Sequence, residues 1–219
     1  MRFDKKRMAN QRNYQKEMEK MIEAAERVQS VPSLLLHSCC APCSSYVLES
    51  LSEYFRITVF YYNPNIYPEE EYWKRVEEQQ RFIRQLPTRY PISFLEGNYE
   101  KDRFYQSVKG YEKEPEGGAR CRVCFELRLE EAARLASESG YDYYTTTLSI
   151  SPLKNAQVLA QVAVEMGEKW GVRWLPSDFK KKEGYKRSIQ LSAEYDLYRQ
   201  NYCGCVFSRR MAEKKEDNL

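Results

Sequence analysis

The chain has 219 residues, which predicts one domain with elaborations and a core large enough to need no disulfide bonds. Its 35 Lys and Arg residues against 32 Asp and Glu residues give a formal net charge of +3, too weak a bias to identify a nucleic-acid-binding protein. No apolar run has the length of a membrane span, and residues 1–20 contain no apolar signal segment. We therefore expect a globular cytoplasmic protein.

The first 30 residues are predicted to form an added helical arm. Apolar side chains recur there at helical spacing and define one face of an amphipathic helix. These are Tyr14, Met18, Met21, Ala25 and Val28. Pro32 ends the pattern, because proline breaks a helix interior. We expect an arm at 1–30 followed by a single α/β domain at 31–219.

From Ser33 onward, predicted strands alternate with predicted helices. The strands are Ser33–His37, Arg56–Tyr62, Ile92–Leu95, Tyr143–Leu148 and Val172–Leu175. The helices are Ser44–Tyr54, Pro68–Gln85, Lys101–Val108, Cys121–Ser139, Pro152–Lys169 and Glu183–Arg199, and Gly110–Ala119 is a loop. This alternation predicts a Rossmann-like, doubly wound and mostly parallel sheet, in which ligands bind beyond the carboxyl ends of the strands.

The seven cysteines are clustered, and their odd number excludes a fully paired disulfide framework. They form three groups: Cys39, Cys40 and Cys43; Cys121 and Cys124; Cys203 and Cys205. Cysteines that serve only as small apolar core residues would be dispersed along the chain. The clustering therefore indicates metal or redox chemistry. The first group lies between a strand and a helix N-terminus, whose positive end favours the thiolate that binds metal.

Four of these cysteines together would supply the four thiolates that a four-iron cluster uses. They are Cys39, Cys40, Cys121 and Cys124. Four thiolates also suit structural zinc, which remains the alternative, but the three further cysteines favour iron and sulfide. The Cys203-Gly204-Cys205 segment can either ligate one metal or cycle between dithiol and disulfide.

Two further features are candidates for function. His37 is the single histidine and lies two residues before Cys39, so it is either a satisfied strand terminus or a proton relay. A set of basic residues near the last predicted helix forms either a solvated face or a surface that follows RNA phosphates. This set contains Lys180, Lys181, Lys182, Lys186, Arg187, Arg209 and Arg210.

Three segments together resemble the cobalamin-independent epoxyqueuosine reductase family: Leu34–Ser44, Arg120–Phe125 and Tyr202–Ser208. The resemblance implies an α/β fold related to adenine-nucleotide α-hydrolase-like proteins. It also implies reduction of epoxyqueuosine to queuosine at the wobble position of tRNAs with GUN anticodons, using a 4Fe-4S cluster. The partners would be tRNA and an unidentified electron donor, with no membrane. ATP use is not expected, because the chain has no GxxxxGK phosphate loop.

The resemblance also assigns roles to individual cysteines. Cys39, Cys40, Cys121 and Cys124 match the cluster positions. Cys203 and Cys205 match a pair that is regarded as redox-active or as ligands of an additional iron. Cys43 falls where some relatives have Asp and is a candidate ligand of that second metal.

Removing the epoxide oxygen as water takes two electrons and two protons, so one four-iron cluster needs a second electron reservoir or an oxygen-binding metal beside it. His37 is the first candidate for the general acid and water is the second. The alternative function is a zinc-stabilised tRNA-binding protein or a tRNA sulfur-transfer protein.

Overall fold

The computed structural model describes residues 12–216, in which five strands form one all-parallel sheet. The strands are β1 Ser33–His37, β2 Arg56–Tyr61, β3 Ser93–Glu96, β4 Tyr143–Thr146 and β5 Arg173–Trp174. Their order across the sheet is β3-β2-β1-β4-β5, so β1 lies at the centre, with Leu36 paired to Val59 of β2 and to Thr145 of β4. The prediction of a Rossmann-like, doubly wound sheet is confirmed.

Eight α-helices accompany the strands in the described part of the chain. They are α1 Tyr14–Arg27, α2 Ala41–Leu51, α3 Glu69–Gln85, α4 Lys101–Ser107, α5 Ala119–Glu138, α6 Ala156–Trp170, α7 Gly184–Glu194 and α8 Val206–Glu216. A short 3-10 helix at Thr147–Ile150 follows β4. Each crossover between parallel strands contains at least one helix, as parallel pairing requires.

The core is divided between the two faces of the sheet. Leu34 and Leu36 of β1 pack on one face with residues of α2 and α3, including Val47 and Phe82. Leu35 points to the other face and packs against α5 residues such as Ala132. Alternation of side chains along a strand produces this division. Helices on both faces leave the carboxyl edge of the sheet as the place where loops meet.

The predicted N-terminal helix is present as α1, but the prediction that Val28 lies on its inward face is wrong. Tyr14 and Met18 of α1 are buried, and Met21 packs against the core together with Ile22. Val28, by contrast, is the C-cap of α1 and is 72% exposed, because the helix ends before it can face the core. Residues 1–11 of the predicted arm lie outside the described residues, and the domain boundary at residue 30 stays a prediction.

Several element boundaries differ from the predicted ones. Helix α2 begins three residues earlier than Ser44, since Pro42 is accommodated in its first turn, where no amide hydrogen bond is lost. Strand β4 ends at Thr146, and α7 ends at Glu194 rather than Arg199. Helix α8 was not predicted. Within residues 12–216, no helix is both long and apolar enough to cross a membrane.

Candidate metal centre

A triad of cysteines lies just beyond the carboxyl end of β1. Cys40 is the N-cap of α2, and Cys43 lies in the first turn of that helix. The sulfur atoms of Cys39 and Cys40 are 3.9 Å apart, and the three sulfur atoms of the triad all lie within 4.8 Å of one another. This spacing allows the triad to bind a metal, and the positive end of α2 favours thiolates there.

The three thiols of the triad do not ionise alike. Hydrogen bonds from Cys40 and Cys43 hold the pKa of the Cys39 thiol well below its usual range. The same interaction with Cys39, reinforced by burial, raises the pKa of Cys40 to about 12, and the pKa of Cys43 is also raised. These shifts favour ionisation of Cys39 over ionisation of Cys40 and Cys43.

The second cysteine pair lies at the start of α5 and approaches the triad. Cys121 packs into the apolar cluster that also contains Cys39 and Cys40. The backbone N–H of Gly117 donates a hydrogen bond to the Cys121 sulfur at 3.2 Å. Cys124 is buried, and burial raises its pKa to about 12. Two thiols from α5 and the thiols before α2 are thus brought to one region of the molecule.

The third pair is held in a sharp turn before α8. Gly204 has a φ of +127°, and a Cβ placed on it would lie 3.1 Å from Arg75 Nη1 and from Ile66 Cγ1, so glycine is required there. The Gly204 carbonyl accepts a hydrogen bond from the Tyr67 N–H at 2.8 Å. Cys205 immediately precedes α8, and its sulfur accepts the N–H of Ser208 at 3.4 Å. The turn thereby holds the Cys205 thiol at the start of α8, two residues after Cys203.

All seven cysteines line one or both of two cavities at the same end of the sheet. The smaller, of about 80 Å³, is lined by Cys121, Cys124, Cys203 and Cys205. The larger, of about 350 Å³, is lined by Cys39, Cys40, Cys43 and Cys203. Because Cys203 lines both cavities, the two are adjacent. The triad groups Cys43 with Cys39 and Cys40, so the predicted division into four cluster ligands and three others stays a prediction.

A buried arginine indicates that the smaller cavity suits an anionic occupant. Arg128 on α5 is 1% exposed and donates only to neutral acceptors, the Cys124 carbonyl at 3.2 Å and Asn63 Oδ1 at 3.4 Å. Its Nη2 has no partner, and no carboxylate of the described chain forms an ion pair with it. Burying an unpaired charge is costly. A metal bound by the thiolates that line this cavity would place negative charge beside Arg128.

A lysine that the sequence analysis missed lines both cavities. Lys154 lies in the segment that precedes α6. Burial lowers the pKa of its amine, but the nearby cysteine side chains, Cys203 first and then Cys39 and Cys43, outweigh burial and raise that pKa above its usual value. Lys154 therefore remains an ammonium facing the cysteines. No sequence pattern marks it, since it is one lysine among many and its position depends on the fold.

A comparison of the sequence with known families decides where the chain belongs. The profile described as epoxyqueuosine reductase QueH matches residues 34–211, which include all seven cysteines. The chain belongs to the epoxyqueuosine reductase QueH family.

Curated members of this family are similar over most of the chain. Epoxyqueuosine reductase QueH of Streptococcus pyogenes is 44% identical over 201 residues, which cover 91% of this chain and 79% of the relative. The protein of that name from Staphylococcus epidermidis is 44% identical over 207 residues, which cover 92% of this chain and 87% of the relative. The relative from Thermotoga maritima is 35% identical over 190 residues, with coverages of 84% and 93%.

In this QueH-family chain, His37 is the last residue of β1. Its ring is fully buried, with Nδ1 2.9 Å from Thr146 Oγ1 and Nε2 3.1 Å from the Tyr62 carbonyl. Burial lowers its pKa to about 4, so the ring is neutral near pH 7. His37 lines neither of the two cysteine cavities. These contacts support a structural role, and the general-acid role of His37 stays a prediction that this geometry does not favour.

The predicted basic surface of this QueH-family chain is largely engaged in contacts within the protein. Lys180 pairs with Asp178 at 2.9 Å and donates to the carbonyls of Ser149 and Lys154. Four other members form ion pairs, which are Lys182 with Glu19, Lys186 with Glu183, Arg187 with Glu49 and Glu194, and Arg209 with Glu213. Lys181 and Arg210 form no ion pair with the residues that the structure describes. The phosphate contacts predicted for this set therefore depend on fewer free cations than the sequence suggests.

Proposed function

We propose that this chain is an epoxyqueuosine reductase, an oxidoreductase that converts epoxyqueuosine in tRNA to queuosine. The observation that carries the proposal is the arrangement of seven cysteines around two adjacent cavities at the carboxyl edge of the sheet. Family membership supplies the reaction, since the relatives are named for it. A tRNA-modifying enzyme of this kind fits the cytoplasm.

The residues divide into two proposed sets of ligands. Cys39, Cys40, Cys121 and Cys124 would hold a 4Fe-4S cluster, and the packing of Cys39, Cys40, Cys43 and Cys121 on one apolar cluster is compatible with this set. Cys43, Cys203 and Cys205 remain for an additional iron or, in the case of the last two, for redox cycling. When bound, the 4Fe-4S cluster would supply electrons one at a time, and an additional iron would supply a Lewis acid for the epoxide oxygen.

The reaction balances with two electrons and two protons. Both carbon–oxygen bonds of the epoxide break, a carbon–carbon double bond forms, and the oxygen leaves as water. In the version without a second metal, Cys203 and Cys205 are oxidised from dithiol to disulfide and release two electrons and two protons. An electron donor of the cell then reduces the disulfide again. Gly204 allows the two thiols to lie in one tight turn.

The leaving oxygen also needs a hydrogen-bond donor. Lys154 is the cationic side chain that lines both cavities, so it is placed to stabilise a developing negative charge on that oxygen. Water is a second donor. His37, the residue first predicted for this role, is bonded at both ring nitrogens inside the sheet.

The substrate is proposed to be tRNA with a GUN anticodon. Unstacked bases of an anticodon loop can be turned out into a protein cavity, whereas a base inside a helix must first be unpaired and unstacked. The basic set from Lys180 to Arg210 is proposed to contact phosphates, with Lys181 and Arg210 as its unpaired members. Phosphate contacts of this kind make binding weaken steeply with salt.

Turnover by cysteine variants tests the proposed function. Protein purified without oxygen is assayed with tRNA that carries epoxyqueuosine, and the modified nucleoside is identified by mass spectrometry. We expect Cys203→Ser and Cys205→Ser each to abolish turnover and to retain the iron and sulfide of the main cluster. Loss of one additional iron in these variants would select the version with a second metal. Near-normal turnover by either variant with its cluster intact would contradict the mechanism.

A further inference from the structure

The larger of the two cavities has the size and the position of a substrate site. Its volume of about 350 Å³ lies at the lower end of the range of roughly 300–1,000 Å³ that is typical of ligand sites. The cavity of about 80 Å³ is well below that range and is too small for a nucleoside. Leu153, which is 73% exposed, and the half-exposed Tyr185 and Met211 line the larger cavity, so it reaches the surface.

The walls of this cavity suit a flat base with hydrogen-bond donors on its edge. Tyr185 and Tyr202 contribute aromatic rings, and Arg199 lies 6.0 Å from the centre of the Tyr185 ring. Gln200 contributes a buried side-chain oxygen that has no hydrogen-bond partner. A buried acceptor without a donor destabilises the protein. A ligand that donates N–H groups would remove this destabilisation.

We infer that this cavity binds the turned-out wobble nucleoside, with Tyr185 stacking on the base and Gln200 Oε1 accepting from its edge. The inference rests on the proposed function and adds the residues that hold the base. A guanine-type base, as the first letter of a GUN anticodon implies, carries N–H donors on its edge. Bases of unstacked RNA loops stack on aromatic side chains. The triad lines the same cavity, so a substituent on the base reaches the candidate metal centre.

A second exposed tyrosine provides a matched control. Tyr105 on α4 is 38% exposed, against 37% for Tyr185, and it lies near Cys205. Its neighbour Phe104 lines the smaller cavity, and Tyr105 does not line the larger one. The two tyrosines therefore differ in location and hardly in exposure. Tyr105 is the stacking surface that the inference excludes.

Binding of two RNAs separates recognition of the base from recognition of the phosphates. The probes are an anticodon stem-loop with epoxyqueuosine at the wobble position and the same stem-loop with an abasic nucleotide there. The Kd of the abasic stem-loop divided by the Kd of the modified stem-loop reports contacts to the base. Phosphate contacts and folding defects change both Kd values alike and therefore cancel in this ratio. In iron-loaded Tyr185→Ala we expect this ratio to fall by about tenfold, since stacking on an aromatic ring contributes to the binding of each unstacked base.

The variants are chosen so that each outcome decides. Tyr185→Phe should restore most of the ratio because it keeps the ring, Gln200→Met should lower it, and Tyr105→Ala should keep it. An unchanged ratio in Tyr185→Ala overturns the inference. A drop confined to Tyr105→Ala shows that the base stacks on Tyr105 instead, which also overturns it. A wild-type protein that binds the modified stem-loop with a high ratio but shows no turnover contradicts the proposed function and leaves the base site standing.

Discussion

Arg128 links the electrostatics of the fold to the proposed metal centre. Its guanidinium is buried beside the cysteines, and its described partners are a carbonyl and an amide oxygen. Burial lowers the pKa of Arg128, whereas thiolates at Cys124, Cys203 and Cys39 raise it beyond its ordinary value. The charge is therefore compensated only when the thiolates are ionised, as metal binding requires. Arg75 differs, because Glu71 pairs with it at 2.7 Å.

Replacing Arg128 by Met should reduce the stabilisation that the metal centre provides. Breaking a buried charge pair costs about 3 kcal/mol. Loading the cluster is expected to raise Tm. For a chain of this length, the cost corresponds to a rise that is smaller by roughly 6–12 °C in Arg128→Met than in wild type. The measurement is the difference in Tm between loaded and unloaded protein, compared between wild type and Arg128→Met by calorimetry.

A structural role for Arg128 would give a different result. Loss of its hydrogen bonds to Cys124 and Asn63 alone would lower both Tm values equally and leave their difference unchanged, which would contradict charge compensation. Arg128→Lys keeps the charge and should keep most of the difference. Arg134→Met is the matched control on the same helix, since Arg134 is partly exposed and pairs with Glu131 and Glu138.

At the scale of elements, three helix N-termini are directed toward the cysteines. Cys40 and Cys43 lie at the start of α2, Cys121 lies in the first turn of α5, and Cys205 immediately precedes α8. The positive end of a helix stabilises a nearby anion by roughly 0.3–1 kcal/mol. The N-termini of α2, α5 and α8 therefore all favour thiolates at the cysteines.

Substitution of Gly204 tests whether the turn before α8 positions its two thiols. In Gly204→Ala the added Cβ meets Arg75 and Ile66, and the residue keeps a φ that costs about 1–3 kcal/mol for an L side chain. We expect turnover to fall at least about tenfold, which corresponds to roughly 1.4 kcal/mol in the barrier, while the main cluster remains. Turnover and iron content are measured on the same preparation.

The control for this turn is Gly140→Ala. Gly140 also has a positive φ, +70°, but a Cβ there would meet nothing within 4 Å, and the residue lies at the distant end of α5. This variant should lose stability and keep its turnover. Equal turnover in both variants would show that the conformation at Gly204 does not control the thiols.

The elements and the position of the first cysteine group could be predicted because their signals are local. Alternating apolar segments predict the strands, and the strand–cysteine–helix order places the first group at the edge of the sheet. The start of α2 was missed because Pro42 was not recognised as a first-turn residue. Helix α8 was missed because the charged segment at 206–216 has no clear apolar periodicity.

Other parts of the site have no local signal. Arg128, Lys154 and Gln200 are ordinary polar residues in the sequence, and the packing of distant elements forms the cavities that they line. The ion pairs within the basic set had no local signal for the same reason. Acidic partners such as Glu19 and Glu49 lie more than a hundred residues away in the chain, so the ion pairs could not be foreseen.

At the scale of the whole molecule, chemistry is concentrated at one edge of the sheet. The faces of the sheet are covered by helices and serve stability, while the carboxyl edge contains both cavities and all seven cysteines. Parallel sheets with helices on both faces place ligand sites in this position. A cofactor held there is reached from solvent through the larger cavity and is shielded on the side of the core.

The content of iron and acid-labile sulfide in protein purified without oxygen tests the central claim most directly. We predict about four irons and four sulfides per chain, with one further iron if Cys43, Cys203 and Cys205 hold a second metal. The preparation should be brown and should bleach in air. A colourless protein with one equivalent of zinc, no sulfide and full turnover would contradict the account.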